Sequence, residues 1–157
     1  KKVKSFAEAP KGATVGIPND PAMGGRALFL LEKGGVIKLR KGVGYTPSVL
    51  DIVENPKDLK FVELEAAQLP ISLQDLDVAC VPMNYAVSGG LDVNKQGFYF
   101  ESRDAKYALI IIAARPDNVQ SPEVQTFVKC YQSPEVAAFI KEKFKGQINP
   151  AWEQPAK

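Results

Sequence analysis

No histidine occurs anywhere in the 157 residues. That removes the commonest general base, the commonest metal ligand and the usual partner of a serine or cysteine nucleophile. Triad, dyad and zinc chemistry are disfavoured, and neither a metal nor a cofactor is expected. Cysteine is scarce too: Cys80 and Cys130 are the only two, far apart in apolar surroundings, so no CxxC redox pair or metal knuckle is available. Two buried free thiols are preferred over a disulfide between them, which stays open. Charge of one sign is missing as well. Twenty Lys and Arg against eighteen Asp and Glu leave +2, without the basic excess that nucleic acid or an anionic membrane surface would call for. The longest apolar run, 107–114, is far shorter than a membrane span, and no GxxxxGK[ST] or GxGxxG phosphate loop occurs. The opening Lys1-Lys2-Val3-Lys4-Ser5 shows no signal peptide, lipobox or initiator methionine, and reads as a mature or truncated product.

What remains is ordinary globular composition, 45% apolar and 24% charged, with room for one sizeable core or two small lobes. Ala13 to Ile17 reads as a strand stopped by Pro18. Asn19 or Asp20 then caps a helix with Pro21 at its first position; the helix carries Ala27, Leu28, Leu30 and Leu31 and ends at Gly34-Gly35. Pro47 to Glu54 reads as a shorter helix closed by Asn55-Pro56, and Leu59 to Glu65 as a strand. A one-turn helix at Ser72 to Asp75, a strand at Asp77 to Val81 and a helix at Asn84 to Gly89 follow. Phe98 to Glu101 and Tyr107 to Ala114 read as two more strands. Ser-Pro-Glu-Val occurs at 121–124 and at 133–136, each copy a cap, a first-position proline and an early acid facing the positive helix end. The second helix places Val136, Phe139, Ile140 and Phe144 on a core stripe ended by Gly146. Ile148 to Trp152 should pack back, and Glu153 to Lys157 should fray. Alternating strands and helices with short connections predict an α/β layered fold with a largely parallel sheet.

Ligands of such sheets bind outside the carboxyl ends of the strands, so the turns at Pro18-Asn19-Asp20 and Pro82-Met83-Asn84 are candidates for a shared site. Asn19 to Arg26 combines N–H groups at a helix start with a cation about two turns along, suited to a carboxylate or phosphate. Arginine's planar fork can hold a carboxylate with two parallel hydrogen bonds. A solvated arginine beside a Pro/Gly turn is the competing reading. Glu63 and Glu65 share one strand face, but nothing else in that segment supports acid–base catalysis. Tyr45, Tyr85 and Tyr107 could line an aromatic pocket, although a core or rim position suits each better.

Four stretches carry a resemblance: 12–21 (GATVGIPNDP) with 25–28 (GRAL), 49–60 (VLDIVENPKDLK), 62–70 (VELEAAQLP) and 127–136 (FVKCYQSPEV). Together they are similar, in order and spacing from about Lys4 to Trp152, to the NlpA/MetQ family of methionine-binding lipoproteins serving ABC importers. The resemblance implies a type II periplasmic-binding-protein-like α/β fold that closes on an amino acid and passes it to a permease without chemistry. Here it would comprise one complete lobe plus the returning part of the other: residues 1–10 as a hinge or crossover, 11–103 as the ligand-binding lobe 2, and 104–157 as the returning strand and C-terminal helices of lobe 1. Family members are longer, and the segment missing here supplies aromatic and histidine pocket residues. A retained N-terminal fragment or a homodimer is an expected partner, because part of a lobe alone exposes a strand edge and apolar surface. Localisation in the periplasm or at the cell surface, through a lipid anchor preceding this chain, is also implied.

The resemblance places Arg26 on the family arginine that holds the ligand carboxylate, with Gly25, Ala27 and Leu28 matching beside it. Asn19, Met23, Asn84 and Tyr85 complete the substrate-binding set. Met23, Pro82 and Leu109 stand where methionine binders have asparagines, with Asn84 a substitute near Pro82. A buried ammonium without a partner costs about 2–5 kcal/mol. An anion lacking the ammonium, a bulkier apolar acid or a short peptide is therefore expected to suit the pocket better than free methionine. The competing expectation is a surface lipoprotein or interaction module that has lost transport-type binding.

Overall fold

A computed structural model describes residues 3–102 and 109–153. Two compact units divide the chain, Lys1–Ala108 and Leu109–Lys157.

In the first unit, Val15, Gly16 and Ile17 are all buried, as the centre of a parallel sheet covered on both faces requires. They belong to β1 (Thr14–Pro18), which pairs in parallel with β4 (Lys60–Leu64) on one side and β5 (Val78–Ala79) on the other. Asp77 secures the β5 side: its carboxylate accepts from both the N–H and the hydroxyl of Thr14, each at 2.9 Å. Helix α1 (Pro21–Lys33) follows β1 after a two-residue turn, with Asp20 as cap, Pro21 in its first turn and Gly34 beyond its end, as the sequence predicts. Its Ala27, Leu28 and Leu31 form one buried cluster with Val15 and Ile17 of β1. Burial of each of the larger side chains contributes about 1.5–3 kcal/mol. This cluster holds α1 over the sheet.

The predicted helix over Pro47 to Glu54 is not found; Val49–Asp51 is a single 3-10 turn leading into β3 (Ile52–Glu54). The Asp51 carboxylate folds back to accept from the Ser48 N–H at 2.9 Å, and β-branched Ile52 and Val53 continue extended to pair antiparallel with β2 (Lys38–Leu39). The one-turn helix predicted at Ser72 to Asp75 lies earlier, as α2 (Leu69–Ser72), where Leu69 and Pro70 are buried. Helix α3 (Met83–Ser88) sits close to its predicted place, and α4 (Val93–Gln96), a single turn, was not anticipated. Phe98 to Glu101 is not a strand. Phe98 packs instead against Phe6, with ring centroids 5.1 Å apart and edge to face.

The N-terminal segment is tied into this unit. Val3 and Ala9 are buried, and the Lys57 ammonium donates to the carbonyls of Phe6, Ala7 and Ala9, each at 2.8 Å. Substituting Lys57 with Met should cost about 1–3 kcal/mol in urea denaturation, because it leaves three carbonyls without their charged donor.

In the second unit, both Ser-Pro-Glu-Val copies start helices, α5 (Pro122–Tyr131) and α6 (Pro134–Phe144). The Ser121 and Ser133 hydroxyls accept from the N–H of Val124 and Val136. Glu123 and Glu135 are held below the usual carboxylate value, first by their own backbone N–H and then by the capping serine. The predicted core stripe of α6 is only partly buried. Phe139 is 60% exposed and the fully buried residue is Ala137. Trp152 does pack back, its ring 6.1 Å from that of Tyr131, and Glu153 is held by Lys141 at 2.6 Å rather than frayed. Residues 154–157 lie outside the described residues. The strand predicted at Tyr107 to Ala114 is not formed over 109–114, and 107–108 lie outside the described residues. Ile110 and Ile111 are 89% and 76% exposed, and among the described residues no strand pairs with this segment. A strand exists only through its ladder, so the apolar run alone does not make one. No helix among the described residues is long and apolar enough to cross a membrane.

Candidate functional site

Two glycines set the entry to the site. A Cβ at Gly24 would lie 2.6 Å from the carbonyl oxygen of Pro18, and one at Gly25 would lie 2.8 Å from Pro47 Cδ and 3.0 Å from Thr46 Cα. The first turns of α1 can therefore press against the carboxyl end of β1 and the 46–47 loop only because both residues lack a side chain. In an open helix, Gly→Ala gains up to about 1 kcal/mol. At Gly24 the sign should reverse, with a net loss of about 1–2 kcal/mol in chemical denaturation from the collision with backbone. Gly44→Ala, in open space, should change little.

This close approach brings Pro18, Met23, Arg26, Ala27 and Leu30 to one side of a pocket of about 120 Å³. Cys80 to Met83, following β5 and entering α3, form a second side, so the turns after the two strands do share one hollow. Tyr99, Phe100 and Glu101 form the third. Phe6 steadies that last segment, its ring 5.0 Å from Tyr99. The position agrees with the rule for parallel sheets, outside the strand ends between β1, from which the chain runs to β4 on one side, and β5, which it reaches by crossing back from β4 to the other.

Arg26 is the pocket's cation, and its fork is engaged. Arg26 Nε donates to Glu101 Oε1 at 2.6 Å and to Oε2 at 2.8 Å, and Nη2 donates to Oε2 as well. The Glu101 side chain is 16% exposed and that of Arg26 38%. A carboxylate thus already sits on the guanidinium in the geometry this side chain favours.

Of the residues singled out in the sequence, Met23 and Arg26 line this pocket; Asn19, Asn84 and Tyr85 do not. The Asn19 amide donates to Glu65 at 3.2 Å, on the β4 side. Asn84 is exposed on α3 and Tyr85 is half-buried. The N–H groups expected to clamp an anion at the helix start are also taken: those of Ala22 and Met23 donate to Asp20 Oδ1 at 3.0 and 2.8 Å. Tyr45 is 87% exposed, neither pocket nor core. Glu63 and Glu65 are exposed on and after β4, and no group of three His, Cys, Asp or Glu side chains that could hold a metal gathers among the described residues. Pro82 lines the pocket, whereas Leu109 belongs to the second unit.

The model of the NlpA lipoprotein family matches residues 1–152. The chain belongs to the NlpA lipoprotein family. The D-methionine-binding lipoprotein MetQ of Escherichia coli O157:H7 is 47% identical over 154 residues, 97% of this chain and 56% of the relative. This NlpA-family chain thus spans about half the length of the curated relatives it matches. Among solved structures, a nutrient-binding protein of Burkholderia cenocepacia bound to methionine is 42% identical with a TM-score of 0.84, over 96% of this chain and 64% of that one. A periplasmic substrate-binding protein of an ABC transporter from Coxiella burnetii is 35% identical with a TM-score of 0.86, over 96% and 63%. The fold is that of these α/β substrate-binding proteins, and the homologues are transport lipoproteins rather than enzymes.

Reading the NlpA-family sequence residue by residue missed Glu101, the pocket's anion. Its one signal was a lone acid ending the aromatic run Phe98-Tyr99-Phe100. The thiols also differ from expectation. Both are free, but Cys130 is exposed and only Cys80 is partly buried. Burial pushes the Cys80 thiol up to about 12, with the Glu101 carboxylate adding to the rise. At pH 8 its thiolate fraction is then on the order of 10⁻⁴. Iodoacetamide followed by peptide mass mapping should therefore label Cys130 well before Cys80.

Proposed function

We propose that this chain is the ligand-holding portion of an ABC-importer solute-binding protein that takes methionine or a related amino acid or carboxylate and delivers it to a permease. The observation that carries this reading is Arg26, a planar cation among Met23, Ala27, Leu30, Val81 and Met83 at the strand ends, in a chain similar to D-methionine-binding lipoproteins. Such a pocket offers an apolar wall for a side chain and a bidentate donor for a carboxylate. Residues 11–103 would serve as the ligand-binding lobe 2, 104–157 as the returning part of lobe 1, and 1–10 as the crossover. Placement in the periplasm or at the cell surface through a lipid anchor follows from the same reading, as does binding without chemistry. Support comes from the pairing of the two strand-end turns in one hollow, at the place where open α/β sheets take ligands.

Thermal melting of the intact protein against a panel of L- and D-amino acids and matched simple acids tests it. An increase in Tm with methionine or an apolar analogue, growing with concentration, is expected. A flat response across the panel would contradict it.

A further inference from the structure

We propose that Glu101 is the second ionic anchor of the pocket, selecting ligands that carry an ammonium group beside their carboxylate over acids that lack one. The proposal rests on the reading of Arg26 as the carboxylate holder.

Glu101 occupies both Nε and Nη2 of Arg26, in a pocket whose other walls are mainly apolar. A ligand that brings only a carboxylate meets two outcomes, both costly. Either it displaces Glu101, leaving that side chain's charge without its partner in a place only 16% exposed, or it sits beside Glu101, with two carboxylates on one guanidinium. A zwitterion avoids both. As its carboxylate takes the guanidinium, its ammonium becomes the new partner of Glu101, and every charge remains paired. Selection then comes from a penalty on the wrong ligand as well as from an attraction to the right one.

The surroundings of Cys80 agree with this role of Glu101. The Cys80 thiol, which lines the same pocket, is held in its neutral form by burial and additionally by the Glu101 carboxylate. The same field opposes a lone anion and favours a cation. Glu101 also answers the loss of amide side chains at Met23 and Pro82, because a carboxylate is a stronger partner for an ammonium than the asparagines the resemblance led one to expect. On this proposal a ligand that carries an ammonium suits the pocket better than an anion without one.

The test is calorimetric titration of the intact protein with methionine and with its des-amino analogue, 4-(methylthio)butanoate, which keeps the carboxylate and thioether. Wild type should prefer methionine by about 30-fold or more, and Glu101→Gln should reduce that preference to within a few-fold, chiefly by weakening methionine. Equal affinities of wild type for the two compounds would overturn the proposal whatever the variant does. So would an unchanged ratio in Glu101→Gln, or a gain of equal size for both compounds, which would make Glu101 a simple competitor for Arg26. Arg26→Ala separates the two readings. If it binds methionine as wild type does, the carboxylate site itself is wrong; if it loses binding while the Glu101→Gln ratio holds, only the role of Glu101 falls.

Discussion

Arg26→Ala should weaken methionine binding by about 30-fold or more, the equivalent of 2 kcal/mol or above, while leaving the fold in place. The size follows from what is removed: a guanidinium that offers two parallel donors, in a pocket with several apolar walls. It should lie nearer the low end of the range for charged pairs, because the Arg26 side chain is still 38% exposed and its charge partly screened by water. Arg26→Lys should fall between the two, since the charge remains but the fork is lost. Helix α1 itself should persist in Arg26→Ala, although Glu101, only 16% exposed, loses its charged partner and stability falls with it. Arg26 lies away from the buried side of α1, which is formed by Ala27, Leu28 and Leu31, and its capping residue Asp20 is untouched. Circular dichroism beside calorimetry separates the two effects.

Leu28→Ala should instead act on the scaffold, with a loss of about 2–5 kcal/mol in urea denaturation. Leu28 is 1% exposed and shares its cluster with Val15 and Ile17 of β1, so its removal leaves a cavity beneath the helix that carries Arg26. That is a large part of the 5–15 kcal/mol typical of a folded domain. Leu50→Ala, at a residue 87% exposed, should stay within about 0.5 kcal/mol. Ligand linkage joins the two experiments. Methionine at about a hundred times its Kd should return roughly 2.7 kcal/mol to Leu28→Ala, and at most about 0.9 kcal/mol to the double variant that also lacks Arg26.

The strand, turn and helix around Arg26 were legible because each step is local chemistry. A proline ends β1, Asp20 caps α1, and apolar residues at helical spacing choose its buried side. The two serine-capped helices were legible for the same reason. Several failures lie where the outcome depends on a distant partner. Ile52 and Val53 extend because β2 is there to pair with them, and Phe98 leaves the strand pattern because Phe6 offers an aromatic edge. Ile110 and Ile111 look like a buried strand in sequence, yet among the described residues no ladder receives them. The site divides in the same way. Arg26 could be singled out from its position after the turn, but Glu101 lies seventy-five residues away and becomes its partner only through the fold. Asn19 and Asn84 sit beside the two turns and still do not line the pocket: the Asn19 amide pairs with Glu65, and Asn84 is exposed.

A crystal structure of the intact protein grown with methionine is the most direct measurement of the central claim, that the hollow at the ends of β1 and β5 is the ligand site. The account predicts the ligand carboxylate on Arg26 within hydrogen-bond distance, its ammonium facing Glu101, and its thioether against the apolar wall near Met23 and Met83. Methionine bound elsewhere, with the Arg26–Glu101 pair intact and the hollow free of ligand, would contradict it.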